Sequence, residues 1–241
     1  HRSARPRPGS SARGVVSSRM ETDLHGRFVS AVALTGIVIW MLIGCSAVQP
    51  VRVLDKGASA ITASLGGAVV PSSTPTGLVP YLTGGYAYGA SDDLTVHARA
   101  HLTMAAFGVA GLEAGASMRA LRQNLAVPEL TLGMQLMGFA SIARTAPARL
   151  YPNLTANASW SVGAASLAYL GSHLTLQADP WRGLISPFAG YQFSVSNSVR
   201  LQVETIWQAS NVDTRFGVFE GESSIGGNGS FGIYLGGVIA L

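Results

Sequence analysis

His97, Arg99 and His101 alternate with Val96, Ala98 and Ala100 in the stretch LTVHARAHL (94–102), and Arg200, Gln202 and Glu204 alternate with Leu201 and Val203 in VRLQVETIW (199–207). Two histidines with a carboxylate can ligate a metal ion or exchange protons with a substrate, and an arginine with a glutamate can hold an ion pair. Spacing decides between these chemistries. In an extended chain His97 and His101 share a face but stand roughly 13 Å apart, too far to close on one ion, so no metal is expected. His101, Thr103 and Glu113 are the residue types of a nucleophile and its base, yet no spacing singles them out, so neither a catalytic residue nor a cofactor is expected. The expectation is instead a polar network of His97, Arg99, His101, Glu113, Arg119, Arg200, Gln202 and Glu204, satisfied by mutual pairing, with Gln135 and Gln192 on the same side.

A period of two makes each of these stretches a strand with one polar and one apolar face. In residues 94–104 the apolar face runs Leu94, Val96, Ala98, Ala100, Leu102 and Met104. Only 12 % of the 241 residues are charged, about half the share of an ordinary soluble domain. Lys56 is the single lysine, so the residue that usually guards exposed sheet edges is nearly missing. The net charge of +4 lies wholly before Cys45, where six arginines meet Glu21 and Asp23, and from Cys45 onward basic and acidic residues balance. The later part therefore has no electrostatic footprint for nucleic acid.

About ten such segments of roughly ten residues can be traced, the length a tilted strand needs to cross a bilayer. They start near residues 58, 77, 93, 108, 128, 154, 173, 184, 199 and 229. Compact turns of Ser, Asp, Asn and Gly are expected at 89–95, 169–175 and 194–200, and longer links at 69–80, 144–153 and 210–229. One hairpin is repeated: GYAYGASDDLTVHARAHL from Gly85 aligns without gaps to GYQFSVSNSVRLQVETIW from Gly190. The alignment sets Arg99 on Glu204, and Tyr86 and Tyr88 on Tyr191 and Phe193, an aromatic pair on the apolar side just before the turn. The sequons at Asn153, Asn157 and Asn228 read as loop composition.

Ahead of the strands, Phe28 to Ile43 is an uncharged apolar run, short for a spanning helix and suited to the core of a secretory signal. LIGC (42–45) resembles a bacterial lipobox, which implies cleavage before Cys45, the only cysteine, and acylation of its thiol. The division that follows is a disordered or mis-set start at 1–19, a signal peptide with its helix at 20–44, a lipidated tether at 45–57 and a β-domain at 58–241.

Over residues 58–241 the chain resembles small bacterial outer-membrane β-barrels as a class. That resemblance implies an all-β fold, a single antiparallel up-and-down transmembrane barrel of about ten strands, within a range of 8 to 12. The apolar faces would meet lipid, the polar network would fill the lumen, and Tyr86, Tyr88, Tyr191 and Phe193 would form part of an interfacial girdle. It also implies the bacterial outer membrane as location, both chain ends on the periplasmic side, and as partners the membrane lipids and the barrel-assembly and lipoprotein-export machinery. The chain departs from the class by ending on Leu241 rather than an aromatic residue. The expected role is structural or interactive through the outer loops, or a narrow pore. Two alternatives stand beside it: a tethered, soluble, lipocalin-like barrel binding an apolar ligand, and a barrel enzyme acting on membrane lipids.

Overall fold

The computed structural model describes residues 49–70, 77–78, 80–142, 147–178, 181–213 and 227–241. The proposed signal segment and Cys45 lie outside them. The alternating stretches all become strands: β1 (Ser59–Val70), β2 (Gly77–Leu78), β3 (Tyr81–Ser91), β4 (Leu94–His101), β5 (Val109–Leu121), β6 (Glu129–Ser141), β7 (Arg149–Val162), β8 (Ser166–Ala178), β9 (Trp181–Ser194), β10 (Val199–Asp213) and β11 (Asn228–Ala240). The two-residue β2 only lengthens the β1 link, through Val69–Leu78. The other ten pair in sequence order, each antiparallel to the next. β11 then closes on β1 from Ala60–Ala240 to Ala68–Gly232, so the sheet has no free edge.

Closure gives two rims. The near rim carries the start of β1, the end of β11 and the links 92–93, 122–128, 163–165 and 195–198. At the far rim β1, β4, β6, β8 and β10 end and β3, β5, β7, β9 and β11 begin, with 102–108 between β4 and β5. By chain length the connections between those strand ends are mostly the longer ones, that between β8 and β9 being short, while 122–128 is long at the near rim.

The two faces are partitioned as an inside-out protein. Ile61, Leu65, Leu112, Met134, Leu136, Leu154, Leu170, Ile185, Val203 and Leu235 stand exposed on the outer wall, while Thr62, Thr95, Arg99, Glu113, Gln135, Asn153, Gln202 and Glu204 are buried inside. The repeated hairpin is real in register as well as in sequence. Tyr86 pairs with Ala98 and Tyr88 with Val96 in β3–β4, and the aligned Tyr191 and Phe193 pair with Val203 and Leu201 in β9–β10.

Three expectations are corrected. β4 stops at His101 and a helical turn, Leu102–Ala106, follows. The turn breaks the alternation, leaving Leu102 outside and carrying Met104 into the lumen, fully buried, instead of onto the apolar face. Residues 169–175 are the middle of β8 rather than a turn, and the reversal falls at 163–165, where Gly163 adopts φ +69°. The glycine that suggested a turn, Gly171, serves packing: a Cβ on it would lie 2.5 Å from the ring of Phe188 on the neighbouring strand. Finally, β7 begins at Arg149 and takes in Pro152, so Asn153 and Asn157 are strand residues with side chains in the lumen, not loop sites.

Candidate functional site

The middle of the lumen is organised around Glu113. Its pairing partner across β4–β5 is Arg99, and Arg99 Nη1 lies 3.6 Å from Glu113 Oε1. His97 and His101, one turn of the pleat to either side of Arg99, reach the same carboxylate, with Nε2 at 3.7 Å from Oε1 and 3.8 Å from Oε2 respectively. The strand spacing that keeps the histidine backbones apart is bridged because both rings lean toward the neighbouring strand. At these distances the contacts are between charges and rings, longer than hydrogen bonds.

Toward the far rim the filling becomes aromatic. The Tyr81 hydroxyl and His101 Nδ1 share a hydrogen bond. His101 packs on Phe139 with centroids 5.0 Å apart, and Phe139 on Tyr151 at 6.0 Å. Inward glycine makes room for this, since a Cβ on Gly111 would sit 2.8 Å from Phe139. Nearer the middle of the lumen Tyr169 donates to Glu204 Oε2 at 3.1 Å and His173 packs on Phe188 at 4.6 Å, and Gln208 donates to the Tyr234 hydroxyl at 2.6 Å. Met104, Leu184 and Ile206 complete a layer fixed to the wall.

Toward the near rim the lumen is filled by the chain itself. Residues 49–56, expected to be part of a tether, run into the mouth with Val51 and Val53 buried. The wall grips their backbone: Gln202 Nε2 donates to Gln49 O at 3.1 Å, Asn157 Nδ2 to Val51 O at 2.8 Å, and Leu54 N–H to Thr95 Oγ1 at 2.7 Å. Gln49 also donates to Gln135. Arg52 is the fastening, donating from Nε to Ser159 Oγ at 3.0 Å, from Nη1 to Ser161 Oγ at 3.2 Å and from Nη2 to Gln123 Oε1, with Glu129 Oε2 3.8 Å from Nε. Glu129 in turn faces Arg119 at 3.4 Å, and Arg119 contacts Asp93 at 3.2 Å.

Of the residues expected to form one network, His97, Arg99, His101 and Glu113 come together. Gln202 and Glu204 face the same lumen with other partners, Gln49 and Tyr169. Arg119 stands at the near rim, and Arg200 is exposed beside the near-rim turn. Tyr86, Tyr88, Tyr191 and Phe193 all lie on the outer wall near that rim, partly exposed. Thr103, grouped with His101 and Glu113 on residue type, is engaged by the Leu82 N–H at 2.7 Å. Sequence reasoning missed Arg52, Glu129, Asn153, Asn157, Tyr169 and His173. The alternation of Asn153, Asn157 and Ser159 with apolar or small residues was the available signal, hidden beneath the sequon pattern.

No protein-family model matches the chain, and no curated protein matches it significantly. Among solved structures, an outer membrane channel from Pseudomonas putida F1 is 12 % identical, with 80 % of this chain and 100 % of that one covered, at a TM-score of 0.40. The translocator domain of the autotransporter NalP from Neisseria meningitidis is 9 % identical, covering 92 % of this chain and 97 % of that one, at a TM-score of 0.42. Ail, the attachment invasion locus protein of Yersinia pestis, is 10 % identical over 77 % of this chain and 99 % of its own, at a TM-score of 0.27. Values of this size transfer neither an activity nor a location to this chain.

Proposed function

We propose that the chain is an outer-membrane β-barrel lipoprotein, acylated on Cys45, whose role is structural or interactive through its far-rim links. The observation that carries this reading is the outward apolar wall on a closed sheet. Side chains such as Leu112 and Met134, 66 % and 67 % exposed on mid-barrel strands, would be a costly surface in water and are an ordinary one in hydrocarbon. A soluble carrier of apolar ligands needs the reverse arrangement, with the greasy face inward. The filled lumen favours a structural role over conduction. The start of β1 and the end of β11 at the near rim, and the longer connections between strands on the other side, fit a periplasmic near side, with the aromatic ring set at that interface.

The test is solubility and accessibility. The mature polypeptide should need detergent to remain monodisperse, resist carbonate extraction from membranes and migrate differently on gels before and after heating. With single cysteines placed at Ala98 and Ala100, a water-soluble maleimide should leave both unlabelled in intact membranes. A folded, monodisperse preparation in plain buffer would sink the proposal, and a mass for the amino-terminal peptide without an acyl addition at Cys45 would remove its lipoprotein part alone.

A further inference from the structure

The two halves of the lumen are closed by different means. In the far half the obstruction belongs to the wall: Tyr81, Phe139, Tyr151, Leu184 and Ile206 are strand residues, and they move only if the barrel does. In the near half it is a separate piece of chain without regular structure, residues 49–54. Backbone pairing of residues 49–58 to the wall is confined, among the described residues, to Gly57 and Ala58 beside Gly89, at 2.8 and 2.9 Å. Everything deeper is held by side chains, each bond adding little on its own, so this segment belongs to the part of a fold that opens first. It leaves the lumen through a hinge, Gly57 at φ +80°, and the wall has been relieved to let it pass. A Cβ on Gly89 would lie 2.0 Å from Asp55 O.

Beneath the segment the wall is already polar. A cavity of about 30 Å³ lies between Gln49, Pro50 and Val51 on one side and Ser117, Thr131, Thr155, Asn157 and Glu204 on the other. Around it Thr131 Oγ1, Asn157 Oδ1, Gln202 Oε1 and Gln135 Nε2 are buried without a hydrogen-bond partner among the described residues. Such a lining gains by meeting water, which lowers the penalty for letting the segment go.

We propose that residues 49–54 are a displaceable plug, latched by Arg52, which seals a blind polar pocket in the near half of the barrel. Opening exposes the pocket to the near side without making a through-pore, because the far half is closed by the wall itself.

The experiment uses the full chain in detergent micelles with Cys45→Ser and a reporter cysteine, Thr131→Cys, in the buried pocket wall, probed with a charged, membrane-impermeant maleimide. Two releases are compared with the latched protein: Arg52→Ala, which removes the fastening, and Gly89→Ala, which crowds the hinge without touching the plug's grip. Arg52→Ala should speed labelling by about tenfold or more, the factor expected from losing a charge-assisted contact, and Gly89→Ala should speed it by forcing the backbone at Asp55 away from the wall, while the heat-dependent gel shift of the folded barrel persists in both. Planar-bilayer recordings of both variants should show no conductance steps. Unchanged labelling in both variants would overturn the plug, as would loss of the gel shift in both, since the segment would then be part of what holds the barrel together. Conductance steps would overturn the blind pocket.

Discussion

Glu113 is the residue on which the interior charge arrangement turns, because Arg99, His97 and His101 all face its carboxylate within 3.8 Å. Removing it alone leaves a buried guanidinium without its cross-strand partner, and breaking a buried pair in this way costs about 3–5 kcal/mol. Replacing both members by apolar groups of similar volume is far milder. Glu113→Ala should therefore lower the urea midpoint of the folded barrel sharply, whereas Arg99→Met with Glu113→Leu should recover most of the loss. Additive losses in a double-mutant cycle would show that the two side chains do not act as a pair. Arg99 and Glu113 were legible from alternation alone. Tyr169 and His173 were not, because the glycine and serine between them read as a turn, and the Ala156 carbonyl and the Phe188 ring against Gly171 explain why a small residue is needed there.

Ten strands and their order were legible because one face must be apolar along the whole length of each, a constraint that repeats every second residue. Their ends were less so. Residues 144–153 read as a link, yet Pro152 is a strand residue opposite Leu136 of β6 and lies one residue before the β7–β8 pairing begins at Asn153–Thr175, so on its β8-facing edge a missing N–H is tolerated. The real β7–β8 reversal depends on Gly163, at φ +69° and with nothing within 4 Å of an added Cβ. Substitution there tests backbone strain without a clash. Gly163→Ala should cost about 1 kcal/mol and Gly163→Asn distinctly less, since asparagine tolerates the left-handed region. Gly190→Ala is the contrasting case, because its methyl would meet the Tyr169 hydroxyl at 2.3 Å, and overpacking of that kind costs about 1–3 kcal/mol. Unfolding midpoints in detergent rank the three, and a Gly163→Ala loss as large as that of Gly190→Ala would contradict the assignment of this turn.

At the scale of the molecule, the seal at the near mouth had no signature in the sequence. QPVRVLDK lacks periodicity and reads as a linker, and its meaning comes only from Thr95, Gln135, Asn157, Ser159 and Gln202, residues brought around it by four different strands. The orientation of the wall was legible, and it makes the widest-reaching prediction. Met134 lies mid-strand on β6, outward and paired beside Leu154 of β7 and Ala116 of β5, while Val162 ends β7 at the near rim, 45 % exposed. In a bilayer, arginine at the midplane costs about 2–4 kcal/mol and at the interface about 0–1 kcal/mol. Met134→Arg should thus destabilise the barrel strongly in lipid vesicles, and Val162→Arg hardly at all. A water-facing wall gives a different ranking, because an exposed methionine exchanged for arginine is then nearly neutral at either depth. Refolding both variants into vesicles and titrating with urea separates the cases: equal, small losses would mean that this wall meets water.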